Sequence, residues 1–335
     1  MAIGWDKAES IRAGGASVRA RASEPRLAGL EPEEPRAGLD ELVLAEATRE
    51  QVERAIAVVR HRDLLMDGWG LGEMLPWGRG LALNLYGPPG TGKTHCAHAI
   101  ARALGRKILE VDYAELESKY VGDTPKNIKA AFDRAQETGA ILFFDEADSL
   151  LGQRLTAVTQ SADHAVNVSR SELLKALERF EGVVVFATNL ARNYDRAFVR
   201  RIHFHVELPL PDRAGLERLW AAKLPARLPR EPGVTPAALA GLSEGLSGGE
   251  LVSALRGAAS RAVLRTQGLG PVLVEDFATA LAEVRKAKDE VGREPGAPAP
   301  APARTRVRAL PFVELPEDVR EELLDPDRCL DPEEH

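Results

Sequence analysis

Residues 87–94 read GPPGTGKT, set between the apolar run LALNLY (81–86) and the stretch HCAHAIARALG (95–105). LALNLY has the length and flanks of a buried strand, and the stretch after the loop has helical spacing with a glycine stop at Gly105. The eight residues therefore lie where a strand hands over to a helix. Glycine permits positive φ and leaves no Cβ between the backbone and a ligand. Successive N–H groups can then turn inward and cradle an anion at a helix N-terminus. Gly87, Gly92, Lys93 and Thr94 complete the pattern G-x-x-x-x-G-K-[ST], whose lysine reaches the β- and γ-phosphates and whose hydroxyl holds Mg²⁺. The whole loop, Gly87-Pro88-Pro89-Gly90-Thr91-Gly92-Lys93-Thr94, is expected to bind a nucleoside triphosphate. An ordinary Gly/Pro turn with a solvated lysine would not require the full pattern in this context.

A chain of 335 residues accommodates one large domain or two ordinary ones. With 44% hydrophobic and 28% charged residues it has the composition of a soluble globular protein. The net charge of −7 is unevenly spread: residues 292–335 hold 6 Arg and 11 Asp/Glu, leaving only −2 for the rest. That near-neutral remainder gives no support for nonspecific nucleic-acid binding. Two distant cysteines, Cys96 and Cys329, do not make a disulfide framework or a zinc site, and fit a reducing compartment. No apolar run approaches the roughly 20 residues of a membrane span, and MAIGWDKAES lacks a signal-peptide core. The expectation is a cytoplasmic protein with no membrane partner.

Residues 1–38 are rich in Ala, Gly, Arg, Glu and Pro without periodicity, and read as a disordered arm. From Asp40, ELVLAEATREQVERAIAVVRHRDLL has helical spacing through Val52, Ile56 and Val59, and 68–80 reads as a loop. Apolar strand candidates at 81–86, 107–111, 140–144, 182–188 and 202–208 then alternate with helical stretches near 94–104, 125–137 and 169–179. This alternation predicts a parallel α/β sheet over 39–211. Four helices are expected at 212–223, 235–244, 248–267 and 275–290, forming a small helical lid over 212–291. PGAPAPAPA (295–303) opens a Pro-Ala linker and an acidic tail that fill 292–335.

AILFFDEAD (140–148) is an apolar strand ending in adjacent carboxylates. Asp145 is placed to hold Mg²⁺ or its water shell, and Glu146 to orient and deprotonate a water against the γ-phosphate. No NKxD-type guanine reader is present. Together GPPGTGKT and ILFFDEAD resemble the Walker A and Walker B motifs of the AAA (AAA+) ATPases, and the resemblance runs from about residue 39 to 290. It implies ATP as substrate, Mg²⁺ as cofactor, and a P-loop parallel sheet followed by a small all-α lid.

Within that resemblance, FATNL (186–190) is similar to the family's sensor-1 strand, which places Asn189 against the γ-phosphate or the attacking water. NYDRAFVRRIHF (193–204) resembles the second region of homology, whose arginines reach the neighbouring subunit's nucleotide. Arg200 matches the first finger position, and Arg201 is the expected second. The chain reads RRIHFH where the family has R-x-x-G-R-[FY]-D, so His203 also falls near the second finger's place. LSGGELVSALRGAASRAV (246–263) resembles the start of the sensor-2 helix in the AAA clade proper, with Gly248-Gly249 where other clades carry an arginine. Asp112 stands where the family often has a polar residue that restrains the catalytic glutamate, a possible switch.

ESKYVGD (117–123) closely resembles pore loop 1 of AAA protein translocases and unfoldases. Lys119, Tyr120, Val121 and Gly122 would grip an extended polypeptide, since an exposed aromatic beside a flexible glycine tolerates many sequences. Clamp loaders and helicase loaders do not usually carry this loop. The resemblance implies a protein substrate and a homo-hexameric ring, because an arginine finger completes a site only in trans. AFVRRIHFHVELPLPD, ERLWAAKLP and LSGGELVSALRGAA further resemble the AAA ATPases encoded with bacterial extracellular contractile injection systems. Two other readings stay open: a nucleotide-dependent scaffold with slow or no hydrolysis, and a nucleic-acid motor. A protease is excluded by the lack of H-E-x-x-H or a Ser–Lys module.

Overall fold

The computed structural model of the protein describes residues 31–74, 80–112, 123–152, 161–189, 194–268 and 270–290. Five strands, β1 (Leu81–Tyr86), β2 (Ile108–Asp112), β3 (Ile141–Asp145), β4 (Val183–Thr188) and β5 (Phe204–Glu207), form one sheet in the order β2-β3-β4-β1-β5. Every pairing is parallel. From β1 the chain crosses to the far edge and returns strand by strand to β4, then passes over β1 to β5. Neighbouring strands β1 and β4 thus send their connections in opposite directions, and a crevice opens at their C-terminal ends, where ligands of open α/β sheets bind.

Side chains alternate across the sheet and fill a core on each face. Ile141 and Phe143 of β3 pack with Leu83 and Leu85 of β1 under helices α1 (Glu46–Arg60) and α2 (Lys93–Ala103). Leu142 and Phe144 point the other way, towards α3 (Asp123–Thr138) and α4 (Ser161–Arg179). There Phe144 stacks on Phe186 with centroids 5.3 Å apart, and Phe132 meets Phe180 edge-on at 5.1 Å, both favourable ring geometries. Such two-sided burial explains why the strands read as continuous apolar runs.

After Asp212 the chain is helical: α5 (Arg213–Lys223), α6 (Pro236–Leu242), α7 (Gly248–Thr266) and α8 (Val274–Glu290). These share their own core, in which Trp220 packs edge-on against Phe277 and donates its indole N–H to Ser243. The helix starts are written locally. Asp212 and Thr235 accept from the first-turn N–H groups of α5 and α6, and Ser247 with Glu250 forms a reciprocal capping box on α7. Among the described residues no helix is long and apolar enough to cross a membrane.

Two stretches differ from the sequence expectation. The helix expected from Glu41 starts at Glu46; Leu39–Glu41 is a 3₁₀ turn, and Leu42–Ala45 is extended. Residues 31–38, read as part of a structureless arm, lie along the outer edge of β2. Glu33 and Ile108 exchange both backbone hydrogen bonds, at 2.8 and 2.9 Å. Glu31 pairs with Arg134 at 2.9 Å and Glu34 with Lys107 at 3.3 Å. Exposed ion pairs of this kind stabilise little singly. The satisfied strand edge and the buried Ala37 fix the segment, and the carboxylates align it.

Candidate active site

β1 ends at Tyr86 and the loop begins with Gly87 at φ 146. A Cβ there would stand 2.2 Å from the Leu208 carbonyl oxygen, so only glycine lets the loop leave the sheet this closely against the segment after β5. Gly90, at φ 76, is closed off in the same way: a Cβ would meet the Ser247 hydroxyl at 2.6 Å. The Gly90 carbonyl accepts the Gly249 N–H at 3.0 Å, which seats the start of α7 directly on the loop. Gly248 stands beside it and lines the same cleft.

Lys93, the first residue of α2, is only 8% exposed. Its amine donates to the carbonyls of Gly87 (2.9 Å) and Pro88 (3.0 Å) and to Asn189 Oδ1 (2.8 Å). Burial lowers its pKa, against a smaller opposing effect from Asp145 and Asp148. All three hydrogen-bond acceptors are neutral, so a polyanion entering the loop would meet an ammonium that has no carboxylate bonded to it. Thr94 donates its hydroxyl to Asp145 Oδ2 at 2.8 Å, joining the loop to the end of β3. The Thr91 hydroxyl is turned inward on the Pro88 carbonyl.

Asp145 Oδ1 accepts the N–H of Glu146, which sits in the left-handed region at φ 49. A non-glycine residue pays of order 1–3 kcal/mol for such a conformation, and it persists where the surroundings over-determine it. Here the Ala147 N–H is tied to the Ala187 carbonyl at 2.8 Å, and the resulting bend leaves Glu146 exposed in the cleft. On the β4 side, Asp148 accepts the Thr188 hydroxyl and the Asn189 N–H. The expected residues from Gly87 to Thr94, with Asp145, Glu146 and Asn189, are thus brought to three adjacent strand ends.

The cleft they share measures about 660 Å³. Its other wall was not legible in the motifs: Leu42, Val43 and Leu44 from the extended segment before α1, Leu210 after β5, and Leu219 and Val252 from the helical region. His95, next after Thr94, also lines it. The apolar doublet Leu42-Val43 ahead of the first helix was the available signal. The loop fits a nucleoside triphosphate on two observations: glycines where a Cβ would clash, and a buried ammonium on neutral partners. The adjacent Thr94 hydroxyl and Asp145 carboxylate are hard oxygen donors of the type that suits Mg²⁺. Among the described residues no cluster of three His, Cys, Asp or Glu side chains could hold a metal alone.

The remaining expected residues lie apart. Arg200 caps the one-turn helix Arg196–Val199, is exposed, and is not among the residues lining the cleft. Arg201 is occupied within its own chain: its guanidinium pairs with Glu178 and donates to the Ala197 carbonyl at 3.0 Å. His203 Nδ1 accepts the Ala82 N–H at 3.1 Å, extending the β1 edge. Both alternatives for a second finger are thus held by partners in the fold. Asp112 ends β2 in register with Asp145 and does not line the cleft. Lys119, Tyr120, Val121 and Gly122 lie outside the described residues.

A parallel sheet with a glycine-rich loop after β1, a buried loop lysine and a Thr–Asp pair across the strand ends defines a P-loop nucleotide-binding fold. Residues 83–210 match the model of the ATPase family associated with various cellular activities (AAA), and the chain carries an AAA ATPase domain. It is 35% identical over 210 residues to a proteasome-activating nucleotidase of Methanoregula boonei, covering 60% of this chain and 47% of that one. It is 30% identical over 249 residues to the katanin p60 ATPase-containing subunit A1 of Strongylocentrotus purpuratus, covering 70% and 45%. The chain spans about half the length of the curated relatives it matches. The crystal structure of the FIGL-1 AAA domain in complex with ADP shares the fold, with a TM-score of 0.61 and 22% identity over 76% of this chain and 86% of that one.

Proposed function

We propose that the protein hydrolyses ATP as the subunit of a homo-oligomeric ring, six being the family's usual number, and uses the cycle to remodel or unfold protein substrates through a central pore. The observation that carries this reading is a division of the machinery. Lys93, Thr94, Asp145, Glu146 and Asn189 converge at one set of strand ends, while Arg200 is exposed outside that cleft. An arginine so placed serves a neighbour's nucleotide better than its own. A head-to-tail interface of that kind closes by rotation into a ring.

In this reading the loop N–H groups and Lys93 bind the triphosphate, and Thr94 and Asp145 would hold Mg²⁺, which would supply charge neutralisation for the phosphates. Glu146 takes a proton from the attacking water, whose oxygen bonds to the γ-phosphorus as the bond to ADP breaks. The Asn189 amide orients that water or the γ-phosphate, and Arg200 of the neighbouring subunit neutralises the transition-state charge. The helical region from Arg213 acts as a lid, reading the loop through the Gly249–Gly90 hydrogen bond. Asp112, in register with Asp145, would act as the switch that restrains Glu146.

A protein substrate is supported by the YVG triplet and by relatives named for proteasome activation and for katanin. Likeness to the ATPases of contractile injection systems would make the substrate a component or cargo of a phage-tail-like particle. The relatives named above are of other kinds, so only sequence likeness supports that assignment. A cytoplasmic location fits the cysteine usage. The test is Tyr120→Ala beside Tyr120→Phe, assayed for nucleotide binding, basal ATPase activity and unfolding of tagged candidate proteins. The alanine variant is expected to bind and hydrolyse ATP without unfolding; the phenylalanine variant keeps most unfolding, because the ring supplies most of the contact. Equal unfolding by wild type and Tyr120→Ala would remove threading and favour the scaffold.

A further inference from the structure

β1 reads LALNLY, and its Asn84 is fully buried in the middle of a central strand. Its register partners are Phe186 on β4 and His205 on β5. Burying an amide costs free energy unless all its polar atoms find partners. Here one does not. Asn84 Nδ2 donates to the Tyr194 hydroxyl at 3.1 Å, whereas Asn84 Oδ1 has no hydrogen-bond partner among the described residues. A half-satisfied polar group in a strand core is a poor stabiliser, so its presence calls for another reason.

The single bond it makes supplies that reason. Tyr194 opens the turn that carries Arg200: Asp195 follows it and caps Arg196–Val199 by accepting the Ala197 N–H at 2.9 Å, and Arg200 caps the other end. The backbone of that turn is tied separately to the Walker B side. The Asp195 N–H donates to the Leu151 carbonyl at 3.0 Å, and Tyr194 bridges Gly152. The Asn84–Tyr194 bond adds the third fixed point, from the strand whose end is the phosphate loop.

We propose that Asn84, acting through Tyr194, is a positioning residue for the Arg200 finger, tying the finger-bearing turn to the strand that carries the phosphate loop. A subunit's own loop strand would then set the finger it offers to its neighbour. This rests on the trans-finger reading above. It predicts an unusual combination for a core substitution: Asn84→Leu removes the bond and the unsatisfied amide together, so stability is kept or raised while turnover falls.

The test uses the full chain with Asn84→Leu and, from the other side of the bond, Tyr194→Phe. Asn84→Leu is expected to keep the wild-type melting temperature or exceed it, whereas Tyr194→Phe, which leaves the buried amide wholly unpaired, lowers it; both keep KM for ATP. Their kcat should fall roughly tenfold, since a small misplacement of a transition-state group costs one to two orders of magnitude. Mixed with Glu146→Gln subunits, which offer an intact finger but no base, Asn84→Leu subunits should gain activity, as Arg200→Ala subunits do. A defect confined to the variant's own site would not be rescued in this way. Absence of rescue where Arg200→Ala is rescued overturns the role of Asn84, as does a lowered melting temperature with weakened ATP binding in both variants. If Arg200→Ala itself turns over at the wild-type rate, the finger reading fails, and this inference with it.

Discussion

Lys93 and Glu146 sit within one cleft in different settings, and single substitutions should part the roles proposed for them. Lys93 is buried on neutral acceptors, so its charge is available to phosphate; Lys93→Ala is expected to abolish measurable ATP binding in an equilibrium assay. Glu146 bonds to its surroundings through its backbone and leaves its carboxylate in the cleft, so Glu146→Gln keeps the bend, Asp145 and the loop intact. It should bind ATP normally and hydrolyse it at least about a hundredfold more slowly, the usual contribution of a positioned general base. Wild-type turnover by Glu146→Gln would show that another group takes the proton. Their meeting in one cleft was legible in the sequence because the loop of Lys93 is written within eight consecutive positions and Glu146 directly follows an apolar strand. The pairing of Arg201 was not, because its partner Glu178 is 23 residues upstream and adjacent only in the fold. The same holds for His203, whose ring nitrogen answers a backbone N–H on β1.

Elements were legible to the extent that burial alone dictates them. Strands buried on both faces announced themselves as apolar runs, and three of the helices after Asp212 carry their caps in sequence as Asp212, Thr235 and Ser247-x-x-Glu250. Segment 31–38 did not, because its order comes from an otherwise unpaired edge of β2 and from basic partners far along the chain, Lys107 and Arg134. Helix α8 illustrates a start fixed by a distant residue as well as a local one. Asp276 accepts from the Leu273 N–H at 2.9 Å and from Arg265 on α7 at 2.7 Å. Burial opposes its ionisation, but the Arg265 hydrogen bond, the Leu273 N–H and the nearby arginine charges outweigh that and hold its pKa below the usual carboxylate value. A folded-state pKa below the unfolded one stabilises fully above the unfolded value, near 3.9, and the benefit disappears as pH falls through the folded value. Asp276→Ala should therefore cost about 1–3 kcal/mol at pH 7, the range for a hydrogen-bonded charged group. In denaturant titrations the gap between variant and wild type should close below about pH 4. A gap that stays constant with pH would mean that the carboxylate acts by packing alone.

At the scale of the whole molecule the main question is where Arg200 spends its charge. It stands exposed at the end of a one-turn helix that three contacts fix to its own chain, through Leu151, Gly152 and Asn84. Exposed and outside its own cleft, it would act on a second copy in the ring proposed above. Two inactive variants can expose that arrangement. Arg200→Ala subunits keep Glu146 and lack a finger, whereas Glu146→Gln subunits keep the finger and lack a base. In a mixed ring, an interface that pairs the intact finger of one with the intact base of the other is complete. Equimolar mixing should restore about a quarter of wild-type activity if subunits assort at random and each interface works independently, with less recovery where neighbouring sites must fire in turn. Exchange of subunits between the two preparations is followed separately by fluorescence transfer between labelled chains, so that a failure to mix is not mistaken for a failure to complement. No recovery in rings shown to have exchanged would place the arginine's role within its own subunit. Full activity in a strict monomer would remove the ring altogether.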